Sequence, residues 1–124
     1  MSRKKNILVV DDDNDIVSAM TIILESEGYN VITADSGKAC YAILKSQKPD
    51  LIILDIMMDS LIDGFNIEYD LKTNPEYKSI PIIMVSSIEK HTGFTIDTNF
   101  IKADAFLEKP LDPHELLDSI TKFI

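Results

Sequence analysis

Four short apolar runs, rich in β-branched residues and without polar alternation, constrain the fold of this chain most. They are Ile7–Val10, Leu51–Leu54, Ile80–Val85 and the weaker Ala105–Leu107. A strand with one face in water alternates polar and apolar residues, whereas a parallel strand covered on both faces is continuously apolar. Asn30–Ala34 is predicted to be a fifth, more exposed strand near an edge. The runs therefore predict a parallel sheet covered on both faces.

Helical patterns separate the predicted strands. Several begin or end at a residue that favours a helix terminus, such as the N-cap residues Ser36 and Asp112 or the terminal Gly28. The stretch Glu89–Lys102 contains many poor helix formers and predicts a short or irregular helix. The other predicted helices are Asn14–Glu27, Ser36–Lys48, Gly64–Thr73 and a last one with Pro113 at its first position.

Strand and helix thus alternate along the chain, which predicts an α/β fold with a doubly wound parallel sheet and helices on both faces. The length of 124 residues fits a single domain over residues 1–124. In such folds, ligands bind at the carboxyl ends of the strands. The residues that follow or end the predicted strands are polar, which makes this edge the candidate site: Asp11, Asp12, Asp55, Ser86 and Lys109.

The chemistry of these residues indicates phosphoryl transfer. Asp11, Asp12 and Asp55 would repel one another at one sheet edge unless a cation shared the site. Hard oxygen ligands at a shallow edge suit Mg²⁺, or Mn²⁺ in its place. Lys109 and the hydroxyl of Ser86 suit the binding of an anionic phosphoryl group. A metal ion, a lysine and a carboxylate nucleophile are the groups required to form an aspartyl phosphate.

Five segments carry a resemblance to a known family. Their sequences are ILVVDD, PDLIILDIMM, DGF, IPIIMVSS and ADAFLEKP, at residues 7–12, 49–58, 63–65, 80–87 and 103–110. In order and spacing they resemble the receiver domains of bacterial two-component response regulators, such as the chemotaxis regulators. The resemblance implies a flavodoxin-like five-stranded sheet with strand order 2-1-3-4-5.

The resemblance also implies a role for each acidic residue. Asp55 corresponds to the phospho-acceptor and to a metal ligand. Asp12 corresponds to a direct metal ligand, and Asp11 to a second acid that positions the ion through water. The backbone carbonyl of Met57 corresponds to the third protein ligand. The implied metal is Mg²⁺ or Mn²⁺.

A second set of residues corresponds to the switch. Ser86 corresponds to the hydroxyl residue that moves toward the phosphoryl group, and Phe106 to the aromatic residue that follows it inward. Lys109 corresponds to the lysine that binds the phosphoryl group, and Pro110 follows it in the family's pattern. The implied function is a phospho-acceptor module that assists its own phosphorylation and is not a turnover enzyme.

Composition limits the possible binding partners and the cellular compartment of the protein. With 21 acidic and 12 basic residues, the formal charge of −9 opposes binding to nucleic acids and anionic membranes. The single cysteine, Cys40, cannot form an intramolecular disulfide, which favours the cytoplasm. The expected partners are a sensor histidine kinase or a histidine phosphotransfer protein, and an unknown downstream protein. Because Ala105 follows Asp104 where dimerising receivers carry an acidic pair, we expect a monomer or a weak dimer.

Two departures from the family's pattern keep an alternative open. The segment Asp59–Ile62 lacks the usual proline and has one extra residue, and Lys102 stands where glycine is usual. A pseudo-receiver that binds a partner without phosphorylation is therefore a second hypothesis. A flavin-binding module of the same fold is disfavoured, because aspartates follow the first strand where a phosphate-binding loop would be needed. An EF-hand is disfavoured because Ile16 occupies the position that requires glycine.

Overall fold

The computed structural model describes residues 4–55, 61–86, 104–109 and 111–124, without the side chains of residues 61–65 and 86. The predicted irregular helix over Glu89–Lys102 lies outside these residues. In chain order, the described elements are β1 (Asn6–Val10), α1 (Asn14–Ser26), β2 (Asn30–Ala34), α2 (Gly37–Ser46), β3 (Leu51–Asp55), α3 (Leu61–Thr73), β4 (Ile82–Ser86), β5 (Ala105–Glu108) and α4 (Pro113–Thr121).

The five strands form one parallel sheet in the order β2-β1-β3-β4-β5. This confirms the flavodoxin-like α/β fold and the edge position of the strand over Asn30–Ala34. The adjacent strands β1 and β3 are paired from Ile7 opposite Leu51 to Val10 opposite Leu54. Their carboxyl ends therefore lie side by side, which determines where the following polar residues meet.

Helices cover both faces of the sheet, as the non-alternating runs predicted. Successive residues of the inner strands point to opposite faces, so each strand contributes to two apolar layers. One layer includes Leu8, Ile52 and Met84 from the strands, with Cys40 and Leu44 from α2 and Ile67 and Leu71 from α3. The other includes Ile7, Ile53 and Val85, with Met20 and Leu24 from α1 and Leu116 and Ile120 from α4.

The predicted helix termini are confirmed at several positions. The side chains of Asp13, Ser36 and Asp112 each accept a hydrogen bond from a backbone N–H in the first turn of the helix that follows. Pro113 lies at the start of α4, where its missing N–H removes no helical hydrogen bond. Gly28 follows α1 with a φ of 89°, a left-handed conformation that favours glycine.

The start of β4 differs from the prediction. The strand begins at Ile82 rather than Ile80, because Pro81 has no N–H to donate to a ladder. The carbonyl of Pro81 still accepts a hydrogen bond from the N–H of Ile52, at 2.9 Å. The predicted strand was therefore two residues too long at its start, because the apolar run continues into the turn before β4.

Two helix boundaries also differ. α2 ends at Ser46 rather than Lys48, because the residue before Pro49 is disfavoured in a helical conformation. α3 begins at Leu61, upstream of the predicted start at Gly64. Among the described residues, none of the helices combines the length and the apolar character that a membrane crossing requires.

Replacing Gly28 tests the left-handed turn between α1 and β2. A Cβ at this position would meet no atom within 4 Å, so any loss of stability comes from the backbone conformation. We predict that Gly28→Ala lowers the free energy of unfolding by about 1 kcal/mol. Gly28→Asn is the matched control, since asparagine tolerates the left-handed region better. Urea unfolding measures both, and an equal loss in the two variants would contradict this explanation.

Candidate metal and phosphoryl site

Three aspartates meet at the carboxyl ends of the central strands. Asp11 and Asp12 follow β1, and Asp55 is the last residue of the neighbouring strand β3. Each offers a carboxylate oxygen, and these three atoms lie within 4.8 Å of one another. Asp11 and Asp55 are only 1% and 3% exposed, whereas Asp12 is exposed. The cluster therefore has a buried base and a side open to solvent.

Local hydrogen bonds fix Asp11 at the base of the cluster. Its N–H donates to the carbonyl of Ala34 at the end of β2, at 3.0 Å. Its Oδ1 accepts from the N–H of Asp13, at 2.9 Å. Asp13 itself caps α1 through its own side chain, so it serves the helix terminus. The run of three aspartates thus divides between the cluster and the helix cap.

Lys109 provides a positive charge at the same edge. Its Nζ lies 3.1 Å from Oδ2 of Asp11 and 3.4 Å from Oδ1 of Asp55. The lysine follows β5, so its side chain reaches past the end of β4 to the carboxylates. A lysine between two buried carboxylates offsets their mutual repulsion. Among the described residues, one ammonium faces three carboxylates, so their summed charge is negative.

The donor set fits a hard divalent cation. Magnesium prefers oxygen ligands, retains several waters and takes only one or two carboxylates from a protein. The exposed Asp12 faces the open side, where a hydrated ion has access, while Asp11 and Asp55 provide buried oxygens. The cluster is formed across two strands, unlike an EF-hand, whose ligands come from one continuous loop.

The structure brings four predicted site residues together, namely Asp11, Asp12, Asp55 and Lys109. Ser86 ends β4 at the same edge, and its backbone pairs with Glu108 of β5. Phe106 is half-buried against the apolar layer beneath α2 and α3. Met57 and Pro110 lie outside the described residues, as do residues 59 and 60 of the unusual segment Asp59–Ile62, whose last two residues begin α3.

Cys40 and His114 have no part in this cluster. Cys40 is fully buried, and burial raises the pKa of its thiol to about 12, so the thiol stays protonated at neutral pH. It fills space in the core between α2 and the sheet. His114 is exposed in the first turn of α4.

Comparison with known proteins identifies the family of this architecture. Residues 7–121 match the model of the response regulator receiver domain. The chain is 35% identical over 112 residues to the alkaline phosphatase synthesis transcriptional regulatory protein PhoP of Bacillus subtilis, covering 90% of this chain and 45% of that protein. The chain thus spans about half the length of this and several other curated relatives.

Shorter proteins match over nearly their whole length. Protein PilH of Pseudomonas aeruginosa is 32% identical over 114 residues, which cover 92% of this chain and 93% of that protein. The solved structure of the chemotaxis response regulator CheY4 of Vibrio cholerae has 27% sequence identity and a TM-score of 0.82. That match covers 98% of this chain and 100% of the other.

Removing one acid at a time tests whether the cluster binds a cation. We predict that Asp12→Asn weakens Mg²⁺ binding by roughly 10- to 100-fold, because the negative charge is lost and the neutral amide oxygen that remains is a weaker ligand. Asp15→Asn is the matched control, since Asp15 is an exposed acid in the first turn of α1 and lies outside the cluster. Calorimetric titration measures both, and equal affinities would contradict a site at Asp12.

Proposed function

The chain belongs to the response regulator receiver domain family, as its motifs indicated, and we propose that residues 1–124 form one phosphorylation-switched signalling domain. The family consists of signalling modules rather than turnover enzymes. In this proposal, Asp55 accepts a phosphoryl group from a histidine of a sensor kinase or of a phosphotransfer protein. The phosphorylated domain then changes its affinity for a downstream protein.

The placement of Asp55 is the observation that carries the proposal. Its carboxylate is nearly buried, lies 3.4 Å from Lys109 Nζ and shares a cluster with Asp11 and Asp12. A carboxylate oxygen of Asp55 attacks phosphorus, the bond from phosphorus to the donor nitrogen breaks, and the donor histidine leaves. Phosphoryl transfer depends mainly on positioning and on charge stabilisation, and these neighbours supply both.

The other polar groups at the site have two roles, which are metal binding and phosphoryl binding. Asp11, Asp12, Asp55 and the Met57 carbonyl would hold Mg²⁺, which supplies positive charge beside the phosphoryl oxygens. Lys109 already contacts both buried carboxylates and needs only a short side-chain movement to bind a phosphoryl oxygen. Charge-assisted hydrogen bonds of this kind are among the stronger polar contacts in proteins.

Ser86 and Phe106 are the proposed switch residues. β4 lies between the strand that carries Asp55 and the strand that leads to Lys109, so Ser86 ends the intervening strand. Phe106 lies opposite Met84 in the ladder that joins β4 to β5. In the proposed response, the Ser86 hydroxyl moves toward the phosphoryl group and the half-buried Phe106 moves further inward.

Phosphorylation with a small-molecule donor tests the acceptor. We predict that the wild-type protein gains one phosphoryl group on incubation with acetyl phosphate and Mg²⁺, and that Asp55→Asn gains none. Asp50→Asn is the matched control, because Asp50 lies at the amino end of the same strand, away from the cluster. Its carboxylate accepts a hydrogen bond from the N–H of Asn6. Intact mass and peptide mapping measure uptake. No uptake by the wild type would favour the pseudo-receiver, and label on Asp59 would contradict the choice of acceptor.

Oligomeric state tests the prediction of a monomer or a weak dimer. Asp104 forms an ion pair with Lys72 of the same chain at 2.7 Å, which occupies the acid that a symmetric receiver dimer would use. Electrostatic complementarity orients such interfaces, so its loss removes the preferred geometry. We predict that the protein loaded with beryllofluoride and Mg²⁺ sediments as a monomer at micromolar concentration. A tight symmetric dimer in which Asp104 pairs across the interface would contradict this.

A further inference from the structure

A second charged cluster lies at the opposite end of the sheet from the aspartates. The Nζ of Lys72, in the last turn of α3, lies 2.7 Å from Oδ2 of Asp104. It also donates to the carbonyl of Ile80 at 2.9 Å and to that of Lys78 at 3.3 Å. These contacts match the three donors of an ammonium group. The side chain of Lys72 is only 9% exposed, whereas that of Asp104 is 33% exposed, so the ion pair is shielded from water mainly on the side of the lysine.

Asp104 attaches the start of β5 to the start of β4. Its N–H donates to the carbonyl of Ile82 at 2.9 Å, and its Oδ2 accepts from the N–H of Ile82 at 2.9 Å. The same Oδ2 contacts Lys72. One carboxylate therefore joins the end of α3, the first residue of β4 and the residue that precedes β5.

The position of β5 in the sheet is held in part by contacts at its two ends. It has four residues, lies at the edge of the sheet and, within the described part of the chain, pairs only with β4. Asp104 precedes the strand and Lys109 follows it, and each forms an ion pair with residues outside β5. A slip of one residue would move Lys109 by about 3.3 Å and turn its side chain to the other face. Lys109 would then lose both carboxylates.

We propose that Lys72 and Asp104 are positioning residues that set the register of β5 and thereby place Lys109 at the phosphoryl site. The inference rests on the proposed function and extends it to a pair at the far end of the same strand. Lys72 acts through Lys109 and touches none of the reacting groups. If the pair were purely structural, its removal would lower stability, and it would not change the affinity for a phosphoryl mimic differently from the affinity for the metal ion.

The test compares two ligands in the full chain. Binding of Mg²⁺ alone requires the aspartates. Beryllofluoride mimics the phosphoryl group, and its binding in the presence of Mg²⁺ also requires Lys109. We expect Lys72→Met to bind Mg²⁺ at least as tightly as the wild type, since a displaced Lys109 no longer offsets the charge of the aspartates. We expect it to bind beryllofluoride roughly tenfold more weakly, the scale of one lost charge-assisted contact. Lys72→Arg keeps the charge and should restore much of that affinity. Equal beryllofluoride affinity in Lys72→Met and the wild type would overturn the proposal.

Two further variants separate positioning from general stability. Tyr41→Phe removes the 2.8 Å hydrogen bond from α2 to Asp70 of α3, so it loosens α3 without touching β5 and should leave both affinities unchanged. A Lys72→Met/Lys109→Ala double variant should bind beryllofluoride no more weakly than Lys109→Ala alone, because both changes remove the same contact. Additive losses would contradict action through Lys109.

Amide hydrogen exchange provides a readout that does not require phosphorylation. In Lys72→Met, we expect faster exchange at the amides of β5 and unchanged exchange at those of β1 and β2. If Lys72→Met fails to fold, Asp104→Asn takes its place, because it retains an acceptor for the N–H of Ile82. It should give the same exchange pattern. Unchanged exchange in β5 would overturn the positioning role by itself. Failure of the wild type to bind beryllofluoride would instead overturn the proposed function.

Discussion

The burial of two carboxylates side by side is the constraint on which the site depends. Asp11 and Asp55 lie at the ends of neighbouring parallel strands, where water cannot screen their repulsion. Lys109 Nζ lies within 3.4 Å of both and partly compensates this repulsion. Removing one partner of a buried ion pair typically destabilises a protein by about 3–5 kcal/mol, because a charge is left uncompensated. The position of Lys109 therefore matters to the stability of the resting domain as well as to chemistry.

The sequence contained most of the information needed to locate this site. Non-alternating apolar runs identified the buried strands, and a polar residue at the end of each run identified the edge where Asp55 and Lys109 meet. Periodicity reports burial but does not report which strands are neighbours. The order β2-β1-β3-β4-β5 came from the resemblance to receivers, because the chain's local patterns contain no signal for it.

The pair Lys72 and Asp104 escaped the sequence analysis for a related reason. A lysine in the last turn of a helix is a common surface residue, and an aspartate before a strand is a common turn residue. They lie far apart in the chain, and only the packing of α3 beside β4 brings Lys72 to Asp104. The misplaced start of β4 had a local cause, since Pro81 continues an apolar run while removing a ladder donor.

An edge strand that carries a functional lysine has to satisfy two opposing requirements. Lys109 must be held near the carboxylates, yet it must be free to turn toward a phosphoryl group when one appears. A saturated anchor at Lys72 and Asp104, and a contact at Lys109 whose partners can change, meet both requirements. The Lys72 ammonium is saturated by three acceptors, whereas the Lys109 ammonium contacts carboxylates that a metal ion would also bind. Rearrangement is therefore easier at the carboxyl end of β5, while its amino end keeps the register of the strand.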